Sequence, residues 1–328
     1  MVHPRFGLQQ PGELSAGPRR PGHVPVLEDE VLRAAADSPR SVVVDGTVGL
    51  GGHSRALLER FPDIQRLVGL DRDPEALALA RENLSGFGDR VSLHHATFDR
   101  AGEVLDELGL HTAGFILMDL GVSSLQLDSP ERGFSFREAG PLDMRMDQGR
   151  GPTALDLIRE LSPKDLEALL KEQGEVTCPG RIARALHEQR HRLKTTLDLA
   201  QLVTDALPAP AKAGLKIHPA TRVFMALRAA VNRELSILKT ALPLLIERLP
   251  ARGRLVVIGF HSLEDRIVKQ TMAAEAKGCV CPPSFPICTC AKKPRLAILK
   301  GSPFEAAQAE VEANPRSRSA RLRVGVRL

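Results

Sequence analysis

The stretch Asp45-Gly-Thr-Val-Gly-Leu-Gly-Gly-His53 sets four glycines between a carboxylate and an imidazole. Glycine lets backbone N–H groups come close to a ligand and accepts positive φ. A helix that begins directly behind such a turn attracts negative charge at its first residues. The spacing is neither the Gly-x-Gly-x-x-Gly of dinucleotide folds nor the Gly-Lys-Ser/Thr of phosphate loops. The chemistry therefore has to be read from the neighbouring groups. Asp71-Arg-Asp-Pro74 ends the next apolar run, Leu67-Val-Gly-Leu70. An acidic residue there suits the two hydroxyls of a ribose, which makes Asp71 a ligand candidate; helix capping is the alternative. Asp73 stands directly before Pro74 and reads as a helix cap.

Two further groups are placed to handle protons. Asp119 closes Ile116-Leu-Met-Asp119 and is followed by Leu-Gly-Val-Ser-Ser124. An exocyclic base amine is a poor nucleophile because its lone pair is delocalised into the ring. An acceptor that binds the N–H localises that pair and takes up the proton, and Asp119 or a nearby carbonyl suits this role. The alternative for Asp119 is a helix or turn cap. His261 lies in Phe260-His-Ser-Leu-Glu-Asp-Arg266, beyond a later apolar run and at the same sheet edge. It is a candidate for substrate contact or proton handling, and a structural role is equally open. Ser262 and Asp265 read as a capping-box-like start to the helix behind it.

The chain has five cysteines. Cys178 stands alone. Cys279-x-Cys281 and Cys288-x-Cys290 flank Pro282-Pro-Ser-Phe-Pro286. Four thiolates in two close pairs fit a structural, tetrahedral zinc site; reduced thiols in a surface insertion are the alternative. Disulfides do not suit the cytoplasmic location expected below.

These groups need elements to hold them. Strand-like segments fall at 41–45, 66–71, 91–94, 114–119, 254–259, 296–300 and 320–327, and helical patterns follow most of them. Such alternation predicts an α/β protein with a doubly wound, mostly parallel sheet. The gap between the fourth and fifth strands is far too long for a loop. It carries helical periodicity over 153–161, 163–173, 180–190 and 196–207, and again in one long helix over 221–248. The expected organisation is a disordered extension over 1–22, a sheet domain built from 23–129 and 221–328, and an inserted helical subdomain over 130–220. The insert is locally basic: Arg181, Arg184, Arg190, Arg192 and Lys194, with His187 and His191, could track phosphates. A solvated surface helix is the competing reading.

Hydrophobic residues make up 43% and charged residues 26%, which places the chain among globular proteins. No apolar run approaches membrane-spanning length. The first twenty residues lack the apolar core of a signal peptide, so a cytoplasmic location is expected, with no membrane partner. A net charge of +5 is compatible with a nucleic-acid partner. With no Trp or Tyr, any base stacking falls to Phe, His or Arg.

Taken jointly, several long motifs carry a specific resemblance. They are His23-Val-Pro-Val, the glycine stretch through Ser54, Asp71-Arg-Asp-Pro74, Met118-Asp-Leu-Gly-Val-Ser-Ser124 and Leu142-Asp-Met-Arg-Met146. His218-Pro-Ala-Thr-Arg-Val-Phe224, Phe260-His-Ser-Leu-Glu-Asp-Arg266 and Asn314-Pro-Arg-Ser-Arg-Ser319 complete the set. The chain resembles the bacterial 16S rRNA cytosine-N4 methyltransferases, of the S-adenosylmethionine-dependent class I (Rossmann-like) fold, from His23 to the C-terminus. The resemblance implies methylation of N4 of a cytidine at the decoding centre of the small subunit. It also implies S-adenosylmethionine contacts at Gly51, Gly52, His53, Asp71, Phe98, Asp119 and Gln126, with Asp71 on the ribose and Phe98 near the adenine. Related amino-DNA methyltransferases carry an aromatic residue after the fourth strand, where this chain has Asp119-Leu-Gly-Val122. Phe134, Phe136 and Phe260 are the candidates to replace it. No Pro-Cys dipeptide occurs, so no cysteine fits the nucleophile of a carbon-5 cytosine methyltransferase.

The expected substrate is 16S rRNA in an assembled or partly assembled small subunit. Two other readings compete: a non-catalytic ribosome-assembly protein with a degenerate methyltransferase fold, and an NAD-dependent dehydrogenase. Intact Gly51, Gly52, Asp71 and Asp119 weigh against the first, and the glycine spacing against the second. The oligomeric state is not legible in the sequence.

Overall fold

The computed structural model describes residues 25–328 apart from 216, 280, 282–286, 288 and 291. The expected extension over 1–22 and the fourth clustered cysteine, Cys288, therefore lie outside the described residues. The chain divides into two compact units, one of 1–121 with 237–328 and one of Val122–Ser236.

The first unit is built on a sheet of eight strands: β1 (Val42–Asp45), β2 (Arg66–Asp71), β3 (Val91–His95), β4 (Phe115–Asp119), β5 (Arg254–Gly259), β6 (Leu296–Ile298), β7 (Phe304–Glu305) and β8 (Arg321–Arg327). Their order is β3-β2-β1-β4-β5-β8-β6, with β7 also paired to β8. The first five strands run parallel. β8 runs antiparallel to β5, β6 and β7. This is the doubly wound, mostly parallel arrangement that the alternation of strands and helices predicts. Strands covered on both faces read as near-continuous apolar runs. Val43, Val44, Ile116, Leu117, Val256 and Ile258 are fully buried. The order reverses between β1 and β4, and the crevice at such a switch point is where open α/β sheets bind ligands.

Residues 304–305 form a strand that the sequence pattern does not announce. Two residues carry no readable period, and β7 exists through its register with Arg321 and Leu322 of β8.

The second unit is helical: Ala154–Glu160, Pro163–Gly174, Pro179–Gln189, Thr196–Ala206, Ala209–Ala213 and Pro219–Val231. Thr153 with Asp156, and Thr195 with Asp198, form capping boxes that satisfy first-turn N–H groups. Leu166, Leu170, Ile182, Leu186, Leu199 and Val203 face one apolar core together with Val223, Phe224 and Leu227. Each such side chain contributes roughly 1.5–3 kcal/mol by burial.

The single helix expected over 221–248 is two helices. Arg233 takes φ 52°, in the left-handed region, and separates Pro219–Val231 from Glu234–Glu247. Asn232 stabilises the break. Its side-chain amide donates to the carbonyls of Met144 (2.7 Å) and Arg228 (2.9 Å), and its Oδ1 accepts from Met146 N–H (2.8 Å). The helix Pro219–Val231 accordingly shares the insert's core, and the helical unit extends beyond the 130–220 read from the sequence.

Candidate functional site

The glycine stretch leaves β1 and turns into the helix Gly52–Arg60. Gly51 caps that helix at φ 86°, and Gly49 sits at φ 51°; both conformations are costly for any residue with a Cβ. Phe98 follows β3 and presses on the loop. A Cβ on Gly46 would stand 2.9 Å from that of Phe98. The loop and Phe98, far apart in sequence, thus share one wall.

Asp71 ends β2 and reaches the same loop. Its Oδ2 accepts from Gly49 N–H at 2.8 Å and its Oδ1 from Asp73 N–H at 2.9 Å. Burial raises its carboxyl to about 6, against these two bonds, which favour the ionised form. Asp73 caps the helix Pro74–Leu84 through Glu75 N–H at 3.1 Å, as its place before Pro74 predicts.

Asp119 ends β4, the neighbour of β1. Its backbone N–H donates to Thr47 Oγ1 at 2.7 Å, which pins it to the glycine loop. Its Oδ2 stands 3.6 Å from His53 Nε2. That is ion-pair distance and beyond a hydrogen bond. His53 is 7% exposed. Both its ring nitrogens and the Oδ1 of Asp119 are buried without a hydrogen-bond partner. Burial acts to lower the His53 pKa, but the Asp119 carboxylate and the charges of Asp45 and Glu28 raise it overall. Asp45, at the end of β1, completes this cluster. It accepts from the Ser54 hydroxyl at 2.7 Å and from Thr47 N–H at 3.2 Å, and burial raises its pKa. Asp45 is not among the candidates read from the sequence. Its signal is there: like Asp71 and Asp119, it ends an apolar run.

His261 lies two residues beyond β5, at the same carboxyl edge. It is the N-cap of the helix Ser262–Ala276, and Glu264 is its capping-box partner. This corrects the expected Ser262–Asp265 box by one residue. His261 Nδ1 accepts from Glu264 N–H at 3.5 Å, while Nε2 stands 3.1 Å from Glu264 Oε1. Glu264 Oε2 accepts from Phe260 N–H at 2.9 Å. Both ring nitrogens of His261 thus face one buried glutamate. Asp265, rather than capping, pairs with Arg323 of β8 at 2.6 and 3.0 Å.

Gly51, Gly52, His53, Asp71, Phe98 and Asp119 are therefore brought together beyond the ends of β1, β2, β3 and β4. Gln126 belongs to the second unit, where it is the buried third residue of a capping box begun by Ser123. That unit holds a cavity of about 280 Å³ lined by Val122, Phe134, Phe136, Arg137, Phe224 and Arg228. Phe136 leans on His218 and Phe224, with ring centroids 4.9 and 4.8 Å apart. Phe134 is buried, and Phe260 belongs to the first unit, against its core. Arg181, Arg184, His191, Arg192 and Lys194 are exposed, and His187 and Arg190 are half-buried. Cys279, Cys281 and Cys290 lie between the helix Ser262–Ala276 and β6, across β4, β5 and β8 from β1 in strand order.

Among the described residues, no helix is long and apolar enough to cross a membrane. Residues 20–327 match the family described as the MraW methylase family. The chain is 48% identical over 309 residues to Ribosomal RNA small subunit methyltransferase H of Oleidesulfovibrio alaskensis, covering 93% of this chain and 95% of that protein. The protein of the same name from Syntrophotalea carbinolica is 49% identical over 308 residues, covering 93% and 98%. That from Heliobacterium mobile is 47% identical over 309 residues, covering 93% and 99%.

Proposed function

The chain belongs to the MraW methylase family, and from that membership we propose that it methylates N4 of a cytidine in 16S rRNA of the small ribosomal subunit, with S-adenosylmethionine as methyl donor. The relatives carry the name of ribosomal RNA small subunit methyltransferase over nearly their whole length. The observation that carries the chemistry is Asp119: a carboxylate at the switch point, held by Thr47, with a buried, unpartnered Oδ1.

The groups at this edge fit the donor. The positive-φ turns at Gly49 and Gly51 bring the loop backbone up against Asp71 and leave no Cβ in the way of a ligand. Asp71 keeps lone pairs on both oxygens for the ribose hydroxyls, and Phe98 supplies an apolar surface for the adenine. His53 stands at the same edge. S-adenosylmethionine, when bound, supplies a methyl group on a positively charged sulfur. Asp119 accepts a hydrogen bond from the N4 amine, localises its lone pair, and receives the proton that N4 loses as its new N–C bond forms. His53 balances the charge of Asp119 before that proton arrives. His261 orders the turn after β5 through Glu264 and so positions the backbone beside Asp119.

Recognition is assigned to the helical unit. Its cavity beside exposed Arg137 suits an unstacked base, and the arginines near Arg184 suit phosphates. The substrate is accordingly an assembled or partly assembled small subunit in the cytoplasm, and binding weakens steeply with salt through counterion release.

The test is transfer of labelled methyl to small subunits from cells lacking the enzyme, followed by nucleoside analysis. N4-methylcytidine is the expected product. A different methylated nucleoside, or equal turnover on a short naked oligonucleotide, overturns the respective part of the reading.

A further inference from the structure

The segment between the helix Ser262–Ala276 and β6 carries thiols that the methylation chemistry does not use. The sulfurs of Cys279, Cys281 and Cys290 all lie within 4.8 Å of one another. Cys279 and Cys290 are 3.8 Å apart. Zinc–sulfur bonds of about 2.3 Å in a tetrahedral site put two sulfurs about 3.8 Å apart. The Cys279–Cys290 pair thus already spans one edge of such a tetrahedron, and all three residues are reduced thiols.

A second observation bears on the ligand geometry. Cys281 N–H donates to Cys279 Sγ at 3.4 Å. This backbone bond fixes where the Cys279 sulfur points within the cluster. Among the described residues, the cluster contains no carboxylate; an all-sulfur donor set selects zinc over magnesium or calcium.

An ion here would act on how the segment is held. Its base is fastened: Arg295 binds Glu275 at 2.5 Å and Glu247 at 3.1 Å, and Lys292 donates to the Ala274 carbonyl at 2.7 Å. Further out, Ile287 is 74% exposed, so its side chain is not enclosed by a core there. Metal binding can supply ordering energy where apolar burial cannot.

We propose that Cys279, Cys281 and Cys290 hold a structural zinc ion that closes the segment between the helix Ser262–Ala276 and β6. Each thiol gives its proton to solvent on binding. Cys288 is the sequence's candidate for the fourth ligand; it lies outside the described residues, and the proposal rests on the other three. The site stands independently of the methylation reading.

The experiment uses the full chain purified without added metal or chelator. Metal analysis should give close to one zinc per chain, and Cys279→Ser, Cys281→Ser and Cys290→Ser should each lose it. Cys178→Ser, in the other unit, should keep it. Replacing zinc by cobalt(II) should produce the thiolate-to-cobalt charge-transfer bands of a tetrahedral sulfur site. Chelation of the wild-type protein should open residues 277–294 to limited proteolysis while S-adenosylmethionine affinity stays unchanged. This arm does not depend on the variants folding. Zinc at buffer level with all the clustered thiols reactive in the native state would overturn the proposal. So would zinc retained by the Cys279→Ser/Cys290→Ser double variant, or a Cys279–Cys290 disulfide in the isolated protein.

Discussion

The His53 imidazole stands 3.6 Å from the Asp119 carboxylate, one in the first turn behind the glycine loop and the other at the end of the adjacent strand. The two are too far apart for a hydrogen bond; His53 is buried and Asp119 is 25% exposed. The carboxylate favours the charged imidazole, and both ring nitrogens and one carboxylate oxygen are left without a hydrogen-bond partner.

This coupling has a pH signature. Burial lowers the His53 pKa, but Asp119, Asp45 and Glu28 raise it above the ordinary value. A histidine raised on folding contributes stability that is complete below the unfolded value of about 6.5 and is lost as pH rises through the folded value. Wild-type stability minus that of His53→Asn, from denaturant titrations, should fall as pH rises past the ordinary histidine range. A difference that rises with pH, or stays flat, would remove the charge-balancing role.

Asp119→Ala should cut turnover at saturating cofactor by about 10²–10⁴-fold, the usual worth of a positioned proton acceptor. Cofactor affinity must be measured separately because Asp119 is also assigned to the cofactor pocket. Near-normal turnover would refute the role.

Asp71 gives a test on the cofactor side. Its carboxyl is raised to about 6, chiefly by burial. Ribose hydroxyls donate best to the ionised form. S-adenosylmethionine affinity should therefore be level above pH about 6, fall as pH drops below it, and be accompanied near that pH by proton release. Asp71→Asn should flatten the profile. Asp71→Ala should weaken binding by about 1–3 kcal/mol. Calorimetry in buffers of different ionisation enthalpy checks all three.

Asn232→Ala should destabilise the helical unit. It strands the Met144 carbonyl and the Met146 N–H, each costing roughly 1–3 kcal/mol when buried without a partner. Turnover per folded molecule should change far less than the unfolding midpoint.

The contrast between the sheet and the long helix shows how much of the molecule was legible. β1, β2 and β4 each show an apolar run ending in an aspartate, and that local signal located Asp71 and Asp119. The break at Asn232–Arg233 has no local signal: the apolar period runs through it, with neither Gly nor Pro. It depends on bonds to Met144 and Met146, 88 and 86 residues away. The His53–Asp119 pairing and the contact of Phe98 with Gly46 are likewise tertiary. Phe98 entered through the resemblance alone. The His261 cap could have been read locally, since Glu264 follows it at the capping-box spacing.

The position of β8 bears on how the chain is made. It is the last of the eight strands in sequence, yet it lies between β5 and β6 with Leu322 and Val324 fully enclosed. During vectorial synthesis β5 emerges more than sixty residues earlier and waits with one row of N–H and C=O groups unpaired. An open, apolar strand edge is a template for pairing with other chains. Between release of β5 and release of β8 the nascent protein therefore carries this edge without its native cover. A stalled or truncated product ending before Arg321 would carry that exposed edge permanently.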